Sequence, residues 1–207
     1  MKSNFLIILL CLILVPARAQ KIIEKHIDLS QKGSVVLNIQ IADSIVVHTW
    51  NKKEVYAKAS VDINDNKDNE AYRTAFDESE NTVKIKAEFE KNYFTGNNCS
   101  QSTITWDIYI PENFDFSVKT INANIIIKGK TDGMKLNSIS GFIDVTVSPD
   151  QKADLNFKTI SGTIYSNHEI AFNPKNKEGS TKIFDKLNGG GNLIDLNTIS
   201  GDIYFRK

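Results

Sequence analysis

A Ser-Gly step recurs in the C-terminal half of the chain, in "SISGFIDV", "TISGTIYSN" and "TISGDIYFRK". A looser copy, "TINANIII", carries Asn122 where the others carry serine. A serine in a tight turn can be a nucleophile, but catalysis needs one serine beside a base and an oxyanion hole. Here the serine is repeated, and no Gly-x-Ser-x-Gly motif surrounds it. The pattern therefore predicts structural corners whose glycines share a backbone conformation, formed by Ser140, Ser161, Ser200, Gly141, Gly162 and Gly201.

Two aspartates of these copies, Asp144 and Asp202, carry the kind of carboxyl group that glycoside hydrolysis uses. That reaction needs its carboxyl groups about 5–9.5 Å apart. If the copies stack in chain order, with a degenerate copy within residues 168–190, the pair is roughly 14 Å apart at ~4.8 Å per strand. We therefore expect no catalytic residues and no enzyme. A carbohydrate-active enzyme, a polysaccharide lyase or hydrolase, stays as the alternative because three acids have no place in the template: Asp154, Glu169 and Asp185.

Three aromatic residues, Phe142, Tyr165 and Tyr204, occupy positions of the copies that we expect to face outward. They could form a ledge on which a sugar ring stacks, or they could cover neighbouring strands. The expected partner is therefore an unknown surface glycan or protein.

Cysteines and histidines do not form a metal site by their spacing. Two cysteines occur, Cys11 and Cys99, and no Cys/His cluster has zinc spacing. His26, His48 and His168 are far apart in sequence and are expected to be ordinary strand or surface residues. The segment "GGGNLIDLN" departs from the Gly-Gly-x-Gly-x-Asp calcium repeat and predicts a glycine turn. We expect no metal and no cofactor.

Residues 1–19 have the pattern of a signal peptide, with one lysine, an apolar run, and Ala17-Arg18-Ala19 before the expected cleavage site. The apolar run is shorter than the ~20 residues that a membrane span needs. Removal of the leader leaves 188 residues with 23 basic and 25 acidic side chains. Because a phosphate-backbone binder carries a basic excess, nucleic acid is not expected. The sequence predicts export to the periplasm, the outer cell surface or the medium.

Apolar residues alternate with polar ones along most of the chain after Lys21, for example at Val55, Ala57, Ala59 and Val61. This period of two predicts β-strands and an all-β protein. One short helix is expected near residues 69–80, in "NEAYRTAFDESE".

The four copies begin at Val118, Leu136, Phe157 and Leu196, at intervals of 18, 21 and 39 residues. Repeats of this length predict a single-stranded β-helix, or β-solenoid, with coils of about 18–21 residues. The domain is expected to span residues 20–207, with N-terminal strands and a loop over 20–117 and regular Ser-Gly coils over 118–207. The C-terminal coil is expected to present an open end that allows self-association.

The coils, together with "DSIVVHTWNKKEVYAKASV" and "TWDIYIPENFDFSVKT", resemble the bacterial "putative adhesin" family. These are exported domains of unknown function related to auto-transporter adhesin head domains, and the resemblance covers roughly residues 30–207. It implies a β-helical fold and a non-catalytic, adhesin-like role in surface binding or structure. The family lends no catalytic residues.

Overall fold

The computed structural model describes residues 20–29, 33–79, 81–95, 101–112, 114–170 and 181–207. The predicted leader and Cys99 lie outside these ranges. The described residues form β-strands and one 3-10 turn, Asn69–Ala71. The strands are β1 (Lys21–Asp28), β2 (Ser34–Ile39), β3 (Ile41–Trp50), β4 (Glu54–Ile63), β5 (Tyr72–Ser79), β6 (Thr82–Phe89), β7 (Ser102–Pro111), β8 (Asp115–Lys128), β9 (Met134–Ser140), β10 (Ile143–Thr146), β11 (Ala153–Ser161), β12 (Ile164–Ser166), β13 (Thr181–Leu187), β14 (Asn192–Ser200) and β15 (Ile203–Arg206).

The all-β prediction is confirmed, and the alternation explains it. In β4, Val55, Ala57, Ala59 and Val61 are fully buried, while the residues between them face outward. Successive side chains of a strand point to opposite faces, so this pattern buries one face of each strand and leaves the other exposed.

The prediction of a helix near residues 69–80 is wrong. A single 3-10 turn ends at Ala71, and β5 then pairs antiparallel with β6 along its whole length. Tyr72 is buried and Phe76 is half-buried, both on the inner face of the strand. The helix-like spacing of apolar residues is thus overridden by strand pairing, which satisfies the backbone of this segment.

The strands belong to one mixed fifteen-stranded sheet that splits into two wings at β8. The first half of β8 pairs with β2 and β9, and its second half pairs with β3 and β10. The first wing has the strand order β5-β6-β2-β8-β9-β14-β11-β13. The second wing has the order β1-β4-β7-β3-β8-β10-β15-β12.

The prediction of a single-stranded β-helix is wrong, because the repeated copies do not stack in chain order. In the first wing the copies lie in the order β8, β9, β14 and β11, so the fourth copy inserts between the second and the third. The expected degenerate copy is also absent from the described residues, since β13 runs antiparallel to β11. Antiparallel pairs at β1, β4, β5 and β13 likewise do not fit successive coils of one solenoid.

One continuous hydrophobic core joins the two wings. The rings of Phe157 in β11 and Phe205 in β15 have centroids 5.0 Å apart. Trp106 in β7 donates its indole N–H to the hydroxyl of Tyr72 in β5, at 3.1 Å. The hydroxyl of Tyr72 in turn donates to the carbonyl of Ile41, at 3.1 Å. Burial raises the pKa of the Tyr72 phenol, so this hydroxyl stays protonated as a buried donor.

Candidate binding surfaces

The structure places the three repeated serines side by side. Ser161 is the register partner of Ser200, and Ser200 is the partner of Ser140, with Asn122 next in the row. All four side chains are exposed. Three equivalent serines on adjacent strands suit a repeated corner, the role that the sequence predicts.

The glycines that follow these serines form a second row, in which the backbones of neighbouring strands come too close together for a side chain. A Cβ on Gly162 would lie 2.1 Å from the carbonyl oxygen of Gly201, and one on Gly201 would lie 2.2 Å from that of Gly141. A Cβ on Gly141 would lie 2.3 Å from the carbonyl oxygen of Ala123. The expectation of one shared conformation fails, because Gly141 has a φ of +110° while Gly162 and Gly201 lie outside the positive-φ region. A side chain is excluded by the neighbouring strand at all three positions.

On the inner side of the corners, two buried threonine hydroxyls donate hydrogen bonds to backbone carbonyls. Thr159 donates to the carbonyl of Gly201 at 2.9 Å, and Thr120 donates to the carbonyl of Gln40 at 3.1 Å. Both threonines are buried. The small polar residues of the repeat therefore satisfy backbone carbonyls at the corners.

The predicted aromatic ledge is brought together by the structure. The rings of Tyr165 and Tyr204 stack with centroids 5.2 Å apart and planes 9° apart. Phe142 meets Tyr204 edge-on at 6.1 Å, and the guanidinium of Arg206 lies over the Tyr204 ring at 5.1 Å. Burial and a hydrogen bond to Asp202 raise the pKa of the Tyr204 phenol. The ledge is half open to solvent, since Tyr165 is 49% exposed.

The two template carboxylates are nearer to each other than the sequence predicted, because β10 and β15 are direct neighbours. Asp144 is the register partner of Tyr204, and Asp202 lies two residues before Tyr204 on the same strand. Both carboxylates have partners. Asp144 pairs with Arg206 at 3.0 Å, and Asp202 accepts hydrogen bonds from the Thr163 N–H at 2.8 Å and the Tyr204 hydroxyl at 3.2 Å.

A larger aromatic cluster, which sequence reasoning missed, covers β1, β4, β7 and β3 on the outer face of the second wing. We call it the aromatic floor. Trp50 and Tyr109 have ring centroids 5.0 Å apart, and Tyr109 and Tyr56 are 5.8 Å apart. His48 stacks on Tyr109 at 4.7 Å, and His26 contacts Tyr56 at 4.6 Å. Its members are His26, His48, Trp50, Tyr56 and Tyr109.

Hydrogen bonds fix the rings of this floor. The Trp50 indole N–H donates to the carbonyl of Glu54 at 2.8 Å, and the Tyr56 hydroxyl donates to a carboxylate oxygen of Glu24 at 2.7 Å. The bond to Glu24 raises the pKa of the Tyr56 phenol to about 12, so that hydroxyl remains a donor at neutral pH. The floor is therefore an aromatic surface with carboxylates along its edge and the ammonium of Lys52 over the Trp50 ring, 4.4 Å from its centroid.

A shallow groove of about 480 Å³ crosses the outer face of the first wing. At its centre Asp195 is 6% exposed and accepts amide hydrogen bonds from Asn156 at 2.7 Å and Asn197 at 2.8 Å. The ammonium of Lys135 lies 3.6 Å from the other oxygen of this carboxylate. Asp195 is therefore a neutralised part of the groove floor.

Across the residues that the structure describes, no group of three or more histidines, cysteines or acids is arranged to hold a metal ion. The same part of the chain has no helix that is long and apolar enough to span a membrane.

Comparisons with known proteins identify a shared fold. A solved structure named as a putative cell adhesion protein from Clostridium sporogenes is similar to this chain with a TM-score of 0.57 and 11% identity, over 91% of this chain and 99% of that one. Two structures named as putative adhesins have lower TM-scores. One from Bacteroides fragilis has 0.32 at 8% identity, over 92% and 99% of the two chains. One from Parabacteroides merdae has 0.33 at 15% identity, over 70% and 64%.

No family model and no curated protein matches the sequence. At 11% identity, the likeness to the Clostridium structure shows the fold alone.

Proposed function

We propose that the protein is an exported, non-catalytic binding domain that holds glycan chains on the outer face of its second wing. The observation that carries this proposal is the aromatic floor, with Trp50, Tyr56 and Tyr109 in mutual contact on an outward face. The name of the Clostridium structure, a putative cell adhesion protein, is consistent with a role in surface binding.

The chemistry of the floor suits a sugar ring. The C–H groups on one face of a pyranose carry small positive charges, and an aromatic face is electron-rich. Tyr56 and Trp50 are already held by hydrogen bonds, so little conformational entropy is lost when a ligand binds. One oxygen of Glu24 accepts from Tyr56 and one oxygen of Asp107 lies 3.1 Å from Nε2 of His48, so the second oxygen of each carboxylate can accept a hydrogen bond from a sugar hydroxyl.

The predicted ledge extends the same face. From His48 and Trp50 on β3, the near side of the floor, the path to Tyr204 crosses β8 and β10, which places the ledge about 14 Å from the floor at ~4.8 Å per strand. Lys128 on β8 lies between the two aromatic groups, and Arg206 lies over Tyr204 at the ledge. A polysaccharide longer than a few sugars could therefore contact both groups at once, which increases affinity through effective concentration.

Affinity electrophoresis in gels that contain soluble galactomannan tests this proposal. We expect the protein to be retarded, and we expect Trp50→Ala to remove the retardation and Tyr165→Ala to weaken it. Phe184→Ala is the matched control, because Phe184 is an exposed aromatic residue of the first wing. Migration that galactomannan leaves unchanged, or retardation that survives Trp50→Ala, would contradict glycan binding at the floor.

A polysaccharide lyase or hydrolase is the second candidate, favoured by the proximity of Asp144 and Asp202. We propose no turnover because Asp144 is paired with Arg206 through one oxygen and has its other oxygen buried, while Asp202 accepts hydrogen bonds from Thr163 and Tyr204. Incubation with polygalacturonate and galactomannan should release no reducing ends. Cleavage that disappears in Asp144→Asn would establish an enzyme instead.

Export rests on the leader pattern of residues 1–19. The exported species should begin at Gln20 and carry no lipid. N-terminal sequencing checks this, and an intact Met1 terminus in a membrane fraction would contradict it.

A further inference from the structure

The outer face of the first wing concentrates exposed apolar side chains. Of nine large hydrophobic residues recorded as exposed in the described part of the chain, six lie on this one face. Four of them form an isoleucine row at the corners of β8, β9, β14 and β11, each 46–49% exposed. Flanking register pairs place these isoleucines side by side. The six residues are Ile121, Ile139, Ile199, Ile160, Phe184 and Leu193.

A row of lysines and asparagines runs beside the isoleucine row, two residues earlier on each strand. It crosses seven adjacent strands and contains four lysines and no acid. Within the described residues, Lys119, Lys158 and Lys182 form no ion pair with an acid, and Lys86 pairs with Glu88. The members of this lysine–asparagine row are Lys86, Asn38, Lys119, Asn137, Asn197, Lys158 and Lys182.

From this arrangement we propose that the first wing docks onto a lipid surface that carries anionic headgroups. Exposed aliphatic and aromatic side chains beside lysines are the combination that binds the interface of an anionic bilayer. The isoleucines would enter the boundary between headgroups and acyl chains, and the lysines would lie at the level of the phosphates. This surface lies on the opposite wing from the aromatic floor, so the inference does not rest on the proposed glycan site.

Two other occupants of this face are disfavoured: a second copy of the chain by charge, and a soluble polyanion by the exposed isoleucines. In a two-fold dimer through this face, the lysine rows of both copies would come close, and like charges repel. The buried carboxylate of Asp195 is already paired with Lys135 and hydrogen-bonded by two amides, so it offers little compensation. A soluble polyanion would satisfy the lysines but would leave the isoleucine row exposed to water.

Co-sedimentation with vesicles tests the inference. We expect the purified protein to bind vesicles of phosphatidylcholine with roughly 30% phosphatidylglycerol, and to bind pure phosphatidylcholine vesicles far less. Added salt should weaken the binding, because it screens the lysines.

Two double variants separate the two contributions. Lys119→Gln with Lys158→Gln should lower binding about 25-fold, at about fivefold for each lysine. Ile139→Ser with Ile199→Ser should lower it by about tenfold or more. The matched controls are Lys58→Gln and Ile22→Ser on the second wing, where Ile22 is 49% exposed, and both should bind as the unmodified protein does.

Three results would overturn the inference. The first is an absence of binding to the anionic vesicles by the unmodified protein. The second is a pair of findings that would identify a polyanion site. The isoleucine variant would bind vesicles as well as the unmodified protein does, and the unmodified protein would bind soluble dextran sulfate as well as it binds vesicles. The third is a dimer in sedimentation velocity that Ile139→Ser dissociates, which would identify an interface between copies. A thermal melt of each variant verifies that it is folded before binding is compared.

Discussion

Replacement of Gly201 by alanine tests the central claim about the Ser-Gly corners, that close approach of neighbouring strands excludes a side chain. The new Cβ would lie 2.2 Å from the carbonyl oxygen of Gly141, whereas real Cβ atoms essentially never come within 3.0 Å of another atom. β15 and β10 would therefore have to separate by about 1 Å at this point.

The expected cost follows from the hydrogen bonds on either side. The N–H of Gly141 donates to the backbone carbonyl of Ser200 at 3.2 Å, and that of Ile143 donates to the backbone carbonyl of Asp202 at 2.9 Å. A separation of about 1 Å would lengthen both beyond the ~3.2 Å limit of a good bond. Two lost bonds at about 1 kcal/mol each, together with about 1–3 kcal/mol of overpacking, give a loss of about 3–5 kcal/mol in the free energy of unfolding.

Urea unfolding at equilibrium, followed by tryptophan fluorescence, measures this loss. Gly189→Ala is the matched control, because Gly189 has a φ of +92° but nothing within 4 Å of its added Cβ. It should cost only the backbone strain, about 1 kcal/mol. If the two variants unfold with free energies within about 1 kcal/mol of each other, steric exclusion at the corners is refuted.

Three further predictions concern buried polar groups. Tyr72→Phe leaves the buried N–H of Trp106 without its partner and should cost about 1–3 kcal/mol in urea unfolding. Asp195→Ala removes a buried carboxylate and leaves two half-buried amides unpaired, and should cost about 1–3 kcal/mol, whereas Lys135→Gln at the exposed end of the pair should cost under about 1 kcal/mol. Burial lowers the pKa of His168 below 6.5, so the unfolded chain binds the proton more readily. The free energy of unfolding should therefore fall as the pH drops through about 6.5, and His168→Phe should remove that part of the fall. A pH dependence that this variant leaves intact would assign the effect to other groups.

The sequence predicts the strands well because each buries one face, and a period of two in β4 or β7 has no other simple explanation. It fails at residues 72–79, where the spacing of Tyr72, Ala75 and Phe76 also fits a helix and pairing with β6 decides the outcome. It also fails on the order of the copies. Every copy carries the same template. Phe157 therefore packs against Leu196 of the inserted copy as well as it would against the preceding copy in chain order, and the sequence does not indicate which pairing forms.

A candidate surface could be predicted from the sequence only where its residues hold equivalent positions in the Ser-Gly copies. Tyr165 and Tyr204 hold the same place in two copies, so the ledge follows from any stacking that makes these copies neighbours. The aromatic floor draws on β1, β3, β4 and β7, whose pairing includes both directions and no repeat. Nothing in the spacing of Trp50 and Tyr109 indicates that their rings are 5.0 Å apart.

The insertion of β14 and β15 between earlier strands has a consequence for the timing of folding. β11 ends at Ser161 and β12 at Ser166, but the strands that connect them to the rest of the sheet, β14 and β15, begin at Asn192 and Ile203. A chain that emerges N-terminus first therefore holds β11 and β12 unpaired on that side until β14 and β15 are released. Such long-range closure slows folding and leaves strand edges exposed in the interval. Removal of residues 192–207 should accordingly detach β11, β12 and β13 from the sheet, although none of those three strands would have been deleted.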